Sequence, residues 1–369
     1  MTRHAEPANL DPLRILAVDV GGGTQDVLIY DSSRAIENCV KLVLPSQTHV
    51  TAARVRRATR AGRDVYLAGS VMGGGASSEA ILQHITAGLR VCAAPEPART
   101  LHNDIARVQA MGVELRDTPP PGAEVIRLCD VDIDGLAAAL TRFGVELPSI
   151  YAIAVQDHGY LPDAGGREFR YEYLQSLLRG GGEARDMIFR EPPDYMIRMR
   201  AVTRDLPGAV VMDTGAAAVL GSLGDPLVAA RAGAEGAVLV NVGNMHTFAA
   251  AFRGDRIHGQ FEHHTGGITP ELLARLVGKL AHGTLTEGDV ELDGGHGAAF
   301  GNDYAALAPY PFVAITGPNR RIATGLGYHE AAPHGDMMLS GAFGLVDGCL
   351  QLLRSEGYHL PATSLHPDS

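Results

Sequence analysis

The run Asp19–Asp31, DVGGGTQDVLIYD, restricts the fold more than any other part of the chain. One β-rich segment (ILAVDV) delivers an aspartate to three successive glycines, and a second (DVLIY) leads away from them. This pattern predicts a hairpin with a tight glycine turn. Gly21, Gly22 and Gly23 let backbone N–H groups face an anion, and Thr24 and Gln25 add side-chain donors. Asp19 is placed to hold Mg²⁺ beside phosphates, directly or through water. The string is not a Walker loop, because GxxxxGK[ST] is absent. No helix follows the glycines, which also argues against a Rossmann fingerprint. Taken alone, the run reads equally as an ordinary glycine hairpin.

Strands and helices alternate beyond it, the signature of an α/β fold. Strands are expected at 42–44, 65–68, 125–128, 150–155, 209–212, 237–242, 247–252 and 312–315. Helices are expected at 79–89, 101–111, 133–143, 169–178, 214–223, 270–281 and 337–354. Thr269 caps the helix that opens at Pro270, a strong start signal. The last helix contains Gly341, Gly344 and Gly348. Each costs about 1 kcal/mol relative to alanine, so their recurrence on one face points to close packing against another helix.

The chain has 369 residues, enough for two lobes, and its 45 glycines are roughly one residue in eight against an average of about 7%. They cluster at 21–23, 73–75, 180–182, 266–267 and 294–297. Gly73–Gly75 is a second candidate anion loop, although a turn before a helix capped by Ser77 or Ser78 explains it as well. The net charge of −11, with no Lys/Arg run, argues against a nucleic-acid partner. Arg54, Arg56, Arg57 and Arg60 read as a solvated helix face. Four scattered cysteines form no CxxC or CxxxCxxC group, so neither a zinc knuckle nor an iron–sulfur cluster is indicated. With no signal-peptide core and no stretch of about 18 apolar residues, a cytoplasmic protein with no membrane partner is expected.

From Leu13 to Arg354 the order of segments resembles the actin-like ATPase superfamily of actin, sugar kinases and heat-shock chaperones. Asp19–Asp31 resembles its first phosphate motif and VVMDTGAAAVLG (210–221) its first connecting helix, with Asp213 in the acidic place. LVNVGNMHTFAAAF (239–252) resembles the second phosphate motif, VAITGPNR (313–320) the adenosine motif, and MLSGAFGL (338–345) the second connecting helix. The resemblance implies a two-lobed, ribonuclease H-like α/β fold with a central cleft. Residues 13–212 would form the first lobe and 213–336 the second. Residues 337–354 would return to the first as a connecting helix, with flexible ends at 1–12 and 361–369. It also implies ATP and Mg²⁺ in the cleft, held by Asp19, Gly21–Gly23, Thr24 and Gln25 from one lobe. Asn241, Gly243, Asn244, Gly317, Asn319 and Arg320 would hold them from the other. Two departures stand out. Asn241 replaces the usual aspartate, removing a negative charge from the metal site, and Pro318 follows Gly317 where paired glycines are usual.

The strings DVGGGTQDVLIYD, ENCVKLVLPS, AVQDHG, NVGNMHT and EHHTG resemble, more closely, an uncharacterised bacterial and archaeal family with an actin-like ATPase domain. Some of its members are labelled as related to pyruvate formate-lyase activating enzyme. An enzyme of that radical type needs a three-cysteine motif that this chain lacks.

Histidines sit beside glycines and acids at several strand ends: Asp157-His158-Gly159, His246, Glu262-His263-His264 and His296. Ligands bind at such ends in α/β sheets. Residues 151–167 also resemble the turn that lines the sugar site of carbohydrate kinases. Asp157 or Asp213 is therefore a candidate general base, with His158 orienting the reacting group. His246, Glu262, His263, His264 and His296 are candidate ligands for Zn²⁺, Mn²⁺ or Fe²⁺. Adjacent strand residues face opposite ways, so at most one of His263 and His264 faces a given site. The expected function is Mg-dependent ATPase or phosphotransferase action on a small molecule or a protein. The alternatives are a nucleotide-switched, chaperone-like module and a histidine-based metal enzyme.

Overall fold

The computed structural model describes residues 12–161 and 166–360. The expected flexible ends, apart from residue 12, lie outside the described residues, as do residues 162–165 of the kinase-like turn.

The glycine hairpin forms as expected. β1 (Arg14–Val20) and β2 (Thr24–Asp31) pair antiparallel, with Gly21 N donating to Thr24 O at 2.9 Å. β3 (Val40–Pro45) pairs with β2. The chain then leaves the sheet to build a smaller parallel one from β4 (Val65–Gly69), β5 (Val91–Ala93), β6 (Val113–Leu115) and β7 (Glu124–Leu128). It returns as β8 (Ile150–Val155), β9 (Ile188–Phe189) and β10 (Val210–Met212), giving the order β3-β2-β1-β8-β10-β9.

A second six-stranded sheet follows. It contains β11 (Ala237–Val242), β12 (His246–Arg253), β13 (Arg256–His264), β14 (Gly297–Phe300), β15 (Phe312–Thr316) and β16 (His329–Glu330), in the order β14-β13-β12-β11-β15-β16. Leaving out the outer strands β9 and β14, both sheets run third, second, first, fourth, fifth. In both, the first strand pairs antiparallel with the second and parallel with the fourth. The second turn repeats the first, with Gly243 N donating to His246 O at 2.9 Å. In this repeat Asn241 takes the place of Asp19.

Two helices cross between the sheets. Thr214–Ser222 is almost wholly buried, and Ser340–Ser355 packs across it. A β-carbon on Gly221 would stand 1.6 Å from Ser340 O, and one on Gly344 would stand 1.9 Å from Ala217 O, so only glycine permits this crossing. The other glycines of the last helix do not serve the crossing. Gly341 abuts Asp19 on β1, and Gly348 abuts Ile188 on β9. The helix Gly166–Gly180 reaches across to the second sheet, where the Gln175 amide donates to the Phe300 carbonyl beside β14.

Several element boundaries differ from the sequence expectations. The expected helix at 101–111 is only Ile105–Ala110, because Asp104 stops the loop there and accepts the Ala106 N–H at 2.9 Å. The helix expected at 79–89 runs Ala76–Thr86. Its N-cap is Gly75 at φ 50°, not a serine, and the Ser77 hydroxyl turns back to Gly74 O at 2.6 Å. The last helix begins at Ser340 after a short 3-10 turn at Met337–Leu339. Arg54, Arg56, Arg57 and Arg60 lie on the solvated side of the helix Gln47–Arg60. No helix among the described residues is long and apolar enough to cross a membrane.

Candidate metal and anion site between the lobes

The turn tips of the two hairpins touch. A β-carbon on Gly22 would meet Met245 Cγ at 2.3 Å, and one on Gly23 would meet Asn244 Nδ2 at 2.6 Å. The turns are braced from behind. The Ser46 and Thr48 hydroxyls donate to Gly22 O, and Asn319 Nδ2 donates to Gly243 O at 3.0 Å. Gly317, at φ 97°, packs against Val242 O and Asn241 Oδ1. Arg320 is turned aside, paired with Glu330 at 2.8 Å. Gln25 is buried and donates its amide to Pro45 O at 3.1 Å, anchoring β3 rather than facing the cleft.

Behind the tips lies a small acidic pocket of about 60 Å³ walled by Asp19, Thr24, Asp26, Asn241 and Gly341. Asp19 and Asp26 are directly opposed across β1 and β2. Like charges at such positions repel, and burial penalises both carboxylates. Burial, offset in part by the Thr214 hydroxyl at 2.6 Å, raises the Asp19 pKa to about 7. Burial and the Asp19 charge raise that of Asp26 to about 8. Asp26 Oδ1 has no hydrogen-bond partner among the described residues. Sequence reasoning missed Asp26, although the two aspartates sit symmetrically about Gly22–Gly23, and that symmetry was the available signal.

In front of the tips a larger cavity of about 260 Å³ is walled by both turns, the Gly73–Gly75 loop, Asp213, Arg198 and a histidine cluster. Strand alternation explains the cluster. Glu262 and His264 share one face of β13, and His246 lies opposite His264 on β12. His296 precedes β14 and donates its N–H to Glu262 O at 2.9 Å. His158 arrives from the other sheet, on the loop after β8. Ligand atoms of His158, His246, Glu262 and His296 all lie within 4.8 Å of one another. His264 borders the group, with its ring 4.1 Å from that of His296. His263 points the other way, its ring nitrogens on the carbonyls of His264 and Asp293, and takes no part. Gln156, just after β8, donates to Glu262 across the cleft.

The two candidate bases differ in their surroundings. The Asp157 carboxylate accepts three backbone N–H groups, from Gly159, Arg198 and Met199, at 2.8, 2.8 and 2.9 Å. It thereby caps the helix Ile197–Asp205, which is a structural task, while burial raises its pKa. Asp213 caps the helix Thr214–Ser222 through the Gly215 N–H and lines the cavity. Gly73–Gly75, a candidate anion loop or a plain turn in the sequence, does line this cavity, whereas Arg198 carries no local motif and was not singled out. Its guanidinium forms a bidentate pair with buried Asp130 at 2.7 and 2.8 Å, donates to Gln156 O, and lies flat on Gly73.

The duplicated sheet order and the crossing helices define an α/β fold related to that of the actin-like ATPase superfamily, with two sheet-containing lobes. The chain belongs to the family described as "Putative pyruvate format-lyase activating enzyme (DUF1786)", which matches residues 72–322. No curated protein matches by sequence. Among solved structures it is similar to the ethanolamine utilization protein EutJ from Carboxydothermus hydrogenoformans, at 10% identity over 92% of this chain and 91% of that one, with a TM-score of 0.27. The ROK hexokinase from Thermus thermophilus matches at 13% identity over 95% and 91%, with a TM-score of 0.26. A ROK family glucokinase from Streptomyces griseus, in complex with glucose and AMPPNP, matches at 12% over 93% and 99%, with a TM-score of 0.29. At these scores the superpositions carry no chemistry, and the fold assignment rests on the strand order.

Proposed function

We propose that this chain is a metal-dependent enzyme working in the interlobe cleft, with a divalent transition ion held by His158, His246, His296 and Glu262. The supporting observation is their convergence within 4.8 Å. Ligands of a tetrahedral site with bonds of about 2.1 Å stand about 3.4 Å apart, so small ring rotations close the gap. Three imidazoles and a carboxylate suit Zn²⁺, Mn²⁺ or Fe²⁺. An ion that accepts a fifth or sixth ligand would keep a position open beyond these four, and would supply Lewis acidity and an acidified water there. The chain's own residues do the rest. Gln156 orients Glu262, Asp213 is the group on the cavity wall placed to accept a proton, and the contacting turn tips restrict water on the far side. The test loads stripped protein with each ion and follows hydrolysis of a panel of phosphate and carboxylate esters. Metal-dependent turnover that His246→Ala abolishes supports the reading. Turnover indifferent to chelation contradicts it.

A second reading, Mg–ATP binding with ATPase or phosphotransferase action, is favoured by the orphaned Asp26 Oδ1 beside Asp19. Two opposed carboxylates fit a hard divalent cation. Asp19 and Asp26 would hold it, and the amides of Gly21–Gly23 and Gly243–Asn244 would face phosphates. The touching tips leave no space between them for a phosphate tail, so the lobes would have to part for ATP to enter.

The radical activity in the family's description finds no matching donors. Cys39, Cys92 and Cys349 are buried, and burial raises every thiol in the chain, that of Cys129 to about 11 and that of Cys349 to about 12. Among the described residues the cysteines form no cluster; the potential metal ligands that converge are His158, His246, Glu262 and His296.

A further inference from the structure

We propose that a cavity of about 600 Å³ beside the histidine cluster binds a small organic anion, a carboxylate or phosphate ester, as the substrate presented to His158. The substrate role rests on the metal reading; the binding does not.

The cavity's size falls within the ordinary range for small-molecule sites, about 300–1,000 Å³. It shares Gly73, Gly74, Gln156, His158 and Arg198 with the cavity at the cluster, so the two are continuous. Three arginines, Arg99, Arg107 and Arg198, face it. Its two acids are already committed to helix caps: Asp157 to three backbone N–H groups, and Asp104 to the Ala106 N–H with a loose 3.7 Å contact to Arg107. Asp130 is saturated by Arg198 and by the Gly73 N–H.

Arg99 has no carboxylate partner among the described residues, and its guanidinium is held over the Tyr160 ring at 5.3 Å and tied to Asn103 O. A cation fixed at a wall without its own counter-ion selects an anion. Arg198 is equally fixed. Of its five N–H groups, Asp130 and Gln156 take three, leaving one on each terminal nitrogen. A fork of two such donors suits a carboxylate or phosphate. The neutral parts of the wall, Leu161 and Ile197, would cover an apolar body.

The experiment is calorimetric titration of chelator-stripped protein with inorganic phosphate and with succinate, using glycerol as the neutral control. At least one anion should saturate, more weakly as salt rises, and glycerol should not bind. Which anion binds distinguishes the phosphate from the carboxylate source. Arg99→Gln and Arg107→Gln, both at accessible positions, should together weaken binding about tenfold or more, consistent with the loss of charge-assisted bonds. They carry the test because Arg198→Gln leaves Asp130 buried and unpaired. The protein is stripped of metal throughout, so failure of the metal reading leaves this result standing. The proposal is overturned if neither anion saturates wild type or if the double variant binds unchanged.

Discussion

Asp19 and Asp26 stand directly opposite each other on the first hairpin, two carboxylates on one face of the sheet. Their folded pKa values of about 7 and about 8 lie above the ordinary 3.8, so the folded chain keeps protons that the unfolded chain has released. The stability they contribute is complete below about pH 4 and is lost as pH rises through 7 and 8. Asp26→Asn should flatten this decline and raise stability at pH 8 by about 1–2 kcal/mol. Urea midpoints measured across pH 5–9 check it. Excess Mg²⁺ should flatten the wild-type curve in the same way. An equally steep decline in the variant would remove the pair as its cause.

The glycines of the last helix make a prediction with an internal control. Gly341→Ala places a β-carbon 1.8 Å from Asp19 Oδ2 and should destabilise by about 1–3 kcal/mol, as overpacking does. Gly278→Ala, within the helix Pro270–Ala281 and with nothing in its way, should stabilise by up to about 1 kcal/mol. Thermal unfolding of both variants compares them. A neutral Gly341→Ala would mean that the close approach is not needed.

Much of this architecture was legible in the sequence. The hairpins announced themselves through glycine between β-rich runs, and Thr269-Pro270 marked a helix start that the structure reproduces at Pro270–Ala281. Strand alternation correctly separated His263 from His264. What escaped was whatever depends on tertiary approach. Asp157 looked catalytic beside His158, but only the fold brings the N–H groups of Arg198 and Met199 to its carboxylate. Arg320 looks like a phosphate ligand in the sequence, but the fold pairs its guanidinium with Glu330. Arg198 could not be placed without Asp130, 68 positions away.

Asp157→Asn should therefore act on stability rather than on chemistry. Weakening a cap costs about 1 kcal/mol. The variant should melt earlier yet retain bound metal, which denaturation paired with metal analysis can establish. Loss of metal or turnover without loss of stability would return Asp157 to the reacting centre.

Asp19→Ala should abolish Mg-dependent ATP binding on the second reading while leaving transition-metal content untouched. Calorimetry with ATP, ADP and Mg²⁺ separates the two sites. Unchanged nucleotide affinity would remove the first hairpin from any phosphate-binding role.

The most direct measurement is the metal content of the purified chain, by elemental analysis, in wild type, His158→Ala, His296→Ala and His263→Ala. The ligands come from both lobes, so a true site needs both. The account predicts about one transition ion per wild-type chain, at least tenfold less in His158→Ala and in His296→Ala, and full retention in His263→Ala. Wild type that takes up no ion when Zn²⁺, Mn²⁺ or Fe²⁺ is supplied, or His158→Ala and His296→Ala that hold it undiminished, would contradict the metal centre.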